Sequence, residues 1–151
     1  MSEVDITPID MTVEECLAFM AYVGIGRLCV VENGFPIAYP VNYRLVANGQ
    51  GGAAIVIRTR TGGALDLDED SRVGFEVDGI DSTSNTGWSV IVRGLLHHED
   101  APITPDWLRS WDPRPWIRGR ETWLYLTPVS ITGRRLAPNV VEWAFAVHGY
   151  L

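Results

Sequence analysis

Apolar residues near the start of the chain recur at the spacing of an α-helix. We predict this helix from about Val13 to Val23, because its apolar positions fall on one side of a 3.6-residue turn. Thr12 and Glu15 have the spacing of an N-terminal capping box, which satisfies backbone N–H groups at the start of a helix. Gly24 and Gly26 follow the apolar run, and we expect them to end the helix in a left-handed conformation.

The next part of the chain contains short β-prone runs that predict a hairpin and a buried strand. Arg27 to Val31 and Pro36 to Leu45 flank the dipeptide Asn33-Gly34, which favours the positive φ angles of a tight hairpin turn. A second turn at Asn48 to Gly52 leads into Ala53 to Thr59, a nearly continuous apolar run. Such a run is typical of a strand that is buried on both faces.

Alternating apolar and polar residues predict further strands beyond the middle of the chain. Val73, Phe75 and Val77 alternate with charged residues, which indicates a strand with one face inward. Gly79 to Gly87 is polar and predicts an exposed loop. Trp88 to His98 then predicts a long strand.

The last third of the chain is less regular. Thr104-Pro105-Asp106 is typical of a helix start, and it predicts a short helix over Trp107 to Trp111. Thr122 to Leu136 predicts a strand pair or a bent strand, interrupted at Pro128. The tail from Val140 to Leu151 is apolar and aromatic, so we expect it to cover the core or to pack on a partner chain.

This pattern of about six or seven strands and two or three short helices predicts a mainly β protein. We expect an antiparallel β-barrel, because closing the sheet removes its exposed edges. A chain of 151 residues is most simply one domain over residues 1–151. No apolar run approaches the roughly 20 residues of a membrane helix, and the acidic first residues lack a signal pattern. We therefore expect a cytoplasmic protein without a membrane partner.

The charge of the chain restricts its ligands. A net charge of −7 argues against a nucleic-acid partner, because phosphate backbones are held by clustered basic residues. Every one of the twelve basic residues is an arginine, which binds phosphate in a bidentate manner. Any anion must therefore be held locally. The two cysteines, Cys16 and Cys29, lack metal-ligand spacing and are interpreted as buried thiols.

One segment has the composition of an anion site. Arg58, Thr59, Arg60 and Thr61 place two guanidinium groups and two hydroxyls at the end of an apolar strand. Gly62 and Gly63 follow, and they let the backbone approach a bound group closely. The alternative is an ordinary strand end with solvated arginines.

Several segments together resemble the pyridoxamine 5′-phosphate oxidase-like, FMN-binding split-barrel family. Each is weakly specific, but their order and spacing extend through most of the chain. They are GIGRLCVV, FPIAYPVNYRL, IVIRTRTGGAL, RVGFEVDGID, TGWSVIVRG, PRPWIRG and VSITGRRL.

The resemblance implies a homodimer that binds FMN in a groove between the subunits. The strand from Pro40 to Tyr43 would run along the flavin ring, and the Arg58 to Gly63 segment would hold the phosphate. Residues around Trp88 and Trp116 would complete the pocket, in part from the second subunit. The cofactor-binding residues implied in this way are Pro40, Val41, Asn42, Tyr43, Arg58, Thr59, Arg60, Thr61, Gly63, Leu65, Trp88, Ser89, Trp116 and Arg118.

The sequence departs from the family pattern at Ala64, where members usually carry a lysine. This departure leaves the deazaflavin coenzyme open as an alternative to FMN, with Arg60 as a substitute phosphate ligand. The carboxy-terminal signature of true pyridoxamine phosphate oxidases is also absent from the sequence, which argues against vitamin B6 oxidation. Apart from the resemblance, Asn42 and Tyr43 could be an outward-facing pair on a barrel strand, and the tryptophans could be core or interface residues.

No side chain is identified as a catalytic acid or base. His97 and His98 are adjacent on a strand and point to opposite faces, so we predict a structural or surface role and no metal site. Glu76 and Asp78 share one face and could pair as acid and base, but such residues are usually a solvated face. The expected function is hydride transfer between a flavin and a small organic substrate. The alternatives are a non-enzymatic flavin or haem carrier of the same fold and a purely structural module.

Overall fold

The computed structural model describes residues 7–47, 52–60, 70–98 and 121–137, which form one helix and seven strands. The mainly β class that the sequence predicts is confirmed. In chain order the elements are β1 (Thr7–Met11), α1 (Val13–Met20), β2 (Ile25–Glu32), β3 (Phe35–Ala47), β4 (Ala53–Arg60), β5 (Ser71–Asp81), β6 (Thr86–His98) and β7 (Glu121–Ala137).

The strands form a closed antiparallel barrel. Six of them pair in the order β7-β4-β3-β2-β5-β6, and β6 pairs back onto β7 to complete the ring. The additional strand β1, which the sequence pattern did not predict, pairs with the carboxy-terminal end of β7. Closure leaves the six barrel strands with hydrogen-bonding neighbours on both sides, as expected for a β protein that avoids free edges.

The hairpin predicted at Asn33-Gly34 is present and joins β2 to β3. Both residues have positive φ angles, 50° at Asn33 and 82° at Gly34. These are the angles of a two-residue turn whose twist matches that of the paired strands. Glu32 and Phe35 close the turn and fix the register of the whole β2–β3 ladder.

The barrel interior follows the two-residue period of its strands. Val73, Phe75 and Val77 of β5 are buried, and Ile55 and Ile57 of β4 join the same core. The intervening residue Val56 is also fully buried, so the prediction that this strand is covered on both faces is confirmed.

Val56 belongs to a second, smaller cluster on the outer face of the barrel. The partly buried residues packed against it come from β3 and β7; they are Val46, Trp123 and Tyr125. We call this group the outer cluster. It covers the part of the β3–β4–β7 surface that adjoins the arginine-rich end of β4.

The helix begins as predicted and ends earlier. The Glu15 N–H donates to Oγ1 of the N-cap residue Thr12 at 3.2 Å. The helix ends at Met20 with Ala21 as its cap in a right-handed conformation, so the prediction of a left-handed glycine cap is wrong. Gly26 instead lies in β2, where a β-carbon would overlap the ring of Phe75.

The last strand is continuous over 17 residues, although the sequence predicted an interruption at Pro128. The irregularity is a local register shift in the β6–β7 ladder: Arg93 pairs with Ser130, whereas Gly94 pairs with Pro128. One additional β7 residue is accommodated as a bulge. A bulge tolerates a proline because the ladder is already disrupted there.

Other sequence predictions fall outside the described residues. They are the helix over Trp107 to Trp111 and the tail from Val140 to Leu151. In the part of the chain that the structure describes, α1 is the single helix, and no helix is long and apolar enough to cross a membrane.

Candidate functional site

The register of three neighbouring strands places Arg58 between Asn42 and Trp123. Asn42 of β3 pairs with Arg58 of β4, and Arg58 pairs with Trp123 of β7. Ile57, the residue before Arg58, belongs to the interior, so strand alternation directs Arg58 to the outer face. The next row on the same face contains Arg44, Val56 and Tyr125. Nitrogen donors and aromatic rings are thus combined on one surface.

Arg58 is unusual for an arginine because it is buried, with 7% relative exposure. Its guanidinium carbon lies 5.1 Å from the centre of the Trp123 ring. A cation over an aromatic face is attracted by the ring quadrupole, and this attraction is stronger when water is excluded. The Trp123 contact therefore restrains the Arg58 guanidinium in a place that little water reaches.

The predicted ring-facing strand from Pro40 to Tyr43 presents two kinds of side chain. Pro40 is exposed and Asn42 is partly buried, and strand alternation places both on the outer face. Val41 and Tyr43 point into the core, and the Tyr43 hydroxyl donates to the Met20 carbonyl oxygen at 2.5 Å. Asn42 and Tyr43 are therefore not an outward-facing pair. A ligand on this surface would contact Val41 and Tyr43 through their backbone only.

The remaining residues of the predicted phosphate segment are described only in part. The backbone of Thr59 and Arg60 continues β4 and pairs with Thr122 and Glu121 of β7. Five predicted cofactor residues lie outside the described part of the chain. They are Thr61, Gly63, Leu65, Trp116 and Arg118.

Trp88 and Ser89 lie on β6, where it pairs with the carboxy-terminal part of β7, whereas Trp123 lies near the start of β7. They line a groove of about 500 Å³ together with Arg134 and the β5–β6 turn. The Trp88 ring lies 4.9 Å from that of Phe19 in α1, so one of its faces packs on the helix. Ser89 pairs with Arg134 and also borders a second groove, of about 740 Å³, that contains Arg93.

Within one chain the structure does not bring these two groups of predicted residues together. Trp123, which contacts Arg58, and Arg134, which pairs with Ser89, are eleven residues apart on β7. The Arg58 group lies on β3, β4 and β7, whereas the Trp88–Ser89 group lies where β6 pairs with β5 and β7.

Trp123 and Arg134 are the described neighbours that sequence reasoning missed. The alternation in Thr122 to Leu126 indicates that Trp123 and Tyr125 share a face. Their partners across the sheet depend on the β4–β7 register, which alternation within one strand does not specify. Arg134 likewise joins the Ser89 end only through the β6–β7 register.

The predicted acidic pair on β5 is held by an arginine of the neighbouring strand. Nη1 of Arg27 lies 3.0 Å from Oε2 of Glu76 and 3.1 Å from Oδ2 of Asp78. Burial raises the pKa of Glu76, and the hydrogen bond and charge of Asp78 raise it further, whereas Arg27 lowers it. The group carries a net charge of −1 when both carboxyls are ionised. It lies beside the predicted ring-facing strand, because Arg27 pairs with Pro40.

Replacing Arg27 is expected to weaken the protein in a pH-dependent manner. In Arg27→Ala the pKa of Glu76 should rise further, because the cation that opposes its protonation is lost. A carboxyl with a raised folded-state pKa stabilises the fold below its unfolded pKa and loses that contribution as pH rises through the folded value. Urea unfolding should therefore show a deficit at pH 7 that shrinks toward pH 4.

The deficit should remain below about 1 kcal/mol, because the Arg27 side chain is half exposed and water screens the pair. Arg72→Ala is a matched control, since Arg72 is an exposed arginine on the outer face of the same sheet. An equal deficit at both pH values would contradict the role assigned to the carboxyl pair.

His97, one of the two described histidines, contacts an acidic side chain. Nδ1 of His97 lies 3.2 Å from Oδ1 of Asp70, which ties the start of β5 to the end of β6. Within the described ranges, no group of three His, Cys, Asp or Glu side chains could hold a metal ion. The structural role that the sequence suggested for these histidines stays a prediction.

The barrel defines the class to which the protein belongs. It superimposes on the FAD-binding protein of Mycobacterium smegmatis with a TM-score of 0.70 and 27% identity, over 85% of this chain and 98% of that one. An FAD-binding protein of Mesorhizobium loti shares the fold at 18% identity, with a TM-score of 0.72 over 88% of this chain and 99% of that one. The architecture is that of the flavin-binding split barrels, as predicted.

The sequence itself specifies the family. Residues 12–135 match the family model of pyridoxamine 5′-phosphate oxidase, and the chain therefore belongs to that family. It is also 26% identical over 140 residues to the Mycobacterium tuberculosis protein Rv0080, covering 87% of each chain. The resemblance inferred from the sequence segments is confirmed.

Proposed function

We propose that the protein binds a flavin mononucleotide or dinucleotide through the Arg58 face and uses it to transfer hydride to or from a small organic substrate. The observation that carries this proposal is the buried guanidinium of Arg58, held over Trp123 beside the Pro40 to Tyr43 strand. The family membership and the FAD-binding relative support the flavin. FAD is proposed as a ligand beside FMN, because that relative binds FAD.

The described residues fit the phosphate end of such a ligand. Arg58 and Arg44 supply charged N–H donors and Asn42 supplies an amide, all on one face of the sheet. Charge-assisted hydrogen bonds of this kind are the strongest available for phosphate oxygens. The outer cluster beneath them excludes water and so strengthens the electrostatic attraction.

The flavin supplies the redox chemistry, and this chain supplies the binding and orientation. Arg58 and Asn42 would fix the phosphate. The backbone of Val41 and Tyr43 would pack along the ring, while their side chains anchor the strand in the core. The acidic group of Arg27, Glu76 and Asp78 borders this strand and would favour a neutral or cationic substrate over an anionic one.

A complete site requires two chains under this proposal. Because the Arg58 and Ser89 ends are separated along β7, a second chain related by a twofold axis would contribute the Trp88–Ser89 end to each flavin. The protein is therefore proposed to be a homodimer with two equivalent sites.

Mixed dimers provide a direct test of the two-chain site. Arg58→Ala disables one end of the site, and Ser89→Tyr blocks the other with a bulky side chain. When the two variants are mixed and refolded together, half of the dimers should be mixed, and each should retain one intact site. Equilibrium dialysis should then recover about one flavin per four chains.

Each variant alone should bind little flavin under the same conditions. A mixture that binds no more than the separate variants would mean that each site is built from one chain. Light scattering that gives the mass of a single chain would lead to the same conclusion.

The ligand is tested first by the purified protein itself. Flavin absorbance, or saturable binding of FMN or FAD, supports the proposal; binding of the deazaflavin coenzyme alone would replace flavin with that alternative. Anaerobic addition of reduced nicotinamide should then bleach the bound flavin. A protein that binds neither FMN, FAD nor the deazaflavin would overturn the proposal.

A non-enzymatic flavin carrier is a second candidate, and two observations favour it. Ala64 stands where the family usually has a lysine, so one phosphate ligand is missing. In the described part of the chain, the acidic pair of Glu76 and Asp78 is also bound by Arg27. Bound flavin that stays oxidised after anaerobic addition of reduced nicotinamide would support a carrier.

A further inference from the structure

The outer cluster contains an aromatic residue that contacts the central cation of the proposed site. Trp123 lies on β7 directly opposite Arg58, and its ring faces the guanidinium at 5.1 Å. Trp123 was not among the predicted cofactor residues. Its position depends on the β4–β7 register, which also places Tyr125 opposite Val56 one row further along the same face.

An arginine on a strand can adopt several side-chain conformations, and only a few of them place the guanidinium where it could bind a phosphate. Arginine has high rotamer entropy, and ordering it on binding costs affinity. An aromatic ring in contact with the guanidinium removes part of that freedom beforehand. The guanidinium has five N–H donors, so contact of its carbon with a ring is compatible with hydrogen bonds to an anion.

Desolvation strengthens this arrangement. Arg58 has 7% relative exposure, and Val56, the neighbouring residue on the same face of β4, has none. The ring quadrupole therefore acts on the guanidinium without intervening bulk water. An aromatic face can stabilise the cation without neutralising it, whereas a carboxylate in the same position would compete with a bound phosphate.

We propose that Trp123 is a positioning residue for the phosphate of the flavin: it holds the Arg58 guanidinium in the orientation that binds the phosphate oxygens. This inference rests on the proposed flavin function. It predicts that Trp123 affects phosphate-bearing flavins and leaves riboflavin, which has no phosphate, unaffected. It also predicts that the effect requires Arg58.

The test compares the affinities of FMN and riboflavin by fluorescence titration of the full-length protein. Trp123→Leu should weaken FMN binding by about 3- to 30-fold and change riboflavin binding by less than about 2-fold. In an Arg58→Ala background the same substitution should have no further effect on FMN. Inorganic phosphate should compete with FMN less effectively in Trp123→Leu than in the native protein.

Tyr125→Leu is the matched control. It removes an aromatic ring from the same outer cluster, on the same face of β7, but its opposite residue is Val56. It should leave the ratio of FMN to riboflavin affinity unchanged. Trp123→Phe retains an aromatic face and should lose less FMN affinity than Trp123→Leu.

The outcomes separate this inference from the function on which it rests. If Arg58→Ala weakens FMN binding and Trp123→Leu does not, the positioning role is overturned and the phosphate site remains. If Trp123→Leu weakens FMN and riboflavin equally, Trp123 does not act through the phosphate. If neither Arg58→Ala nor Trp123→Leu changes the FMN preference, the phosphate assignment itself fails.

Should Trp123→Leu fail to fold, Trp123→Phe and the double variant with Arg58→Ala decide the question. Phenylalanine is the weaker cation partner, so FMN affinity should fall by about 2- to 5-fold with Arg58 present. An equal fall when Arg58 is absent would overturn the proposal.

Discussion

Arg58→Ala is expected to reduce FMN affinity by about 10- to 100-fold, which corresponds to the loss of roughly 1.5–3 kcal/mol of charge-assisted hydrogen bonding. The effect should be large because the guanidinium is buried and water does not screen it. Riboflavin should bind to the variant as well as it does to the native protein. Isothermal titration with both ligands measures the difference directly.

The control for this substitution is Arg72→Ala, which removes an exposed arginine from the outer face of β5 and changes the net charge equally. It should shift FMN affinity only through long-range electrostatics, an effect that salt suppresses. Unchanged FMN affinity in Arg58→Ala, with the variant shown to be folded by circular dichroism, would remove the phosphate site from the Arg58 face.

Gly94→Ala should destabilise the fold by about 2–3 kcal/mol, because the added methyl group has no space. A β-carbon at this position would lie 2.5 Å from Cδ2 of Leu126 and 2.5 Å from the carbonyl oxygen of Thr127. A backbone oxygen cannot rotate away as a side chain can, so β7 must move. The melting temperature should fall by roughly 5–10 °C for a chain of this size.

Gly24→Ala is the matched control, since a β-carbon there meets nothing within 4 Å. Its stability should stay within about 0.5 kcal/mol of the native value. If both variants melt at the native temperature, the bulge at Arg93/Gly94 can widen without cost, and the close approach of β6 to β7 does not restrict this position.

Local sequence patterns were sufficient to predict most of the barrel. The Asn33-Gly34 turn and the alternation of β5 depend on neighbouring residues only, and both were predicted correctly. The apolar run of β4 indicated burial on both faces because its composition is continuous. These features have in common that backbone preference and side-chain burial agree.

The errors and omissions involve interactions between distant parts of the chain. Gly26 was interpreted as a helix cap, although the space requirement of Phe75, 49 residues later, explains its presence in β2. Pro128 was interpreted as an interruption, and the bulge opposite Gly94 accommodates it instead. A local pattern identifies such residues as special without specifying the partner that makes them so.

The candidate site contains one residue that local sequence patterns could identify and one that they could not. Arg58 could be selected from composition and from the family resemblance, because an apolar strand that ends in arginine and threonine is unusual. Trp123 could not be selected, since its contact with Arg58 requires the register of β4 against β7. The assignment of Trp88 and Ser89 to the same flavin as Arg58 depends on the proposed second chain, because their β7 partners are eleven residues apart.

The length of β7 has a consequence for how the cofactor would be retained in dilute solution. If two chains build each site, flavin binding and chain association are thermodynamically linked, and each strengthens the other by the same factor. Apparent flavin affinity would then fall as the protein is diluted below the dissociation constant of the dimer. A strand that separates the two halves of a binding site would thus make cofactor retention depend on the abundance of the protein itself.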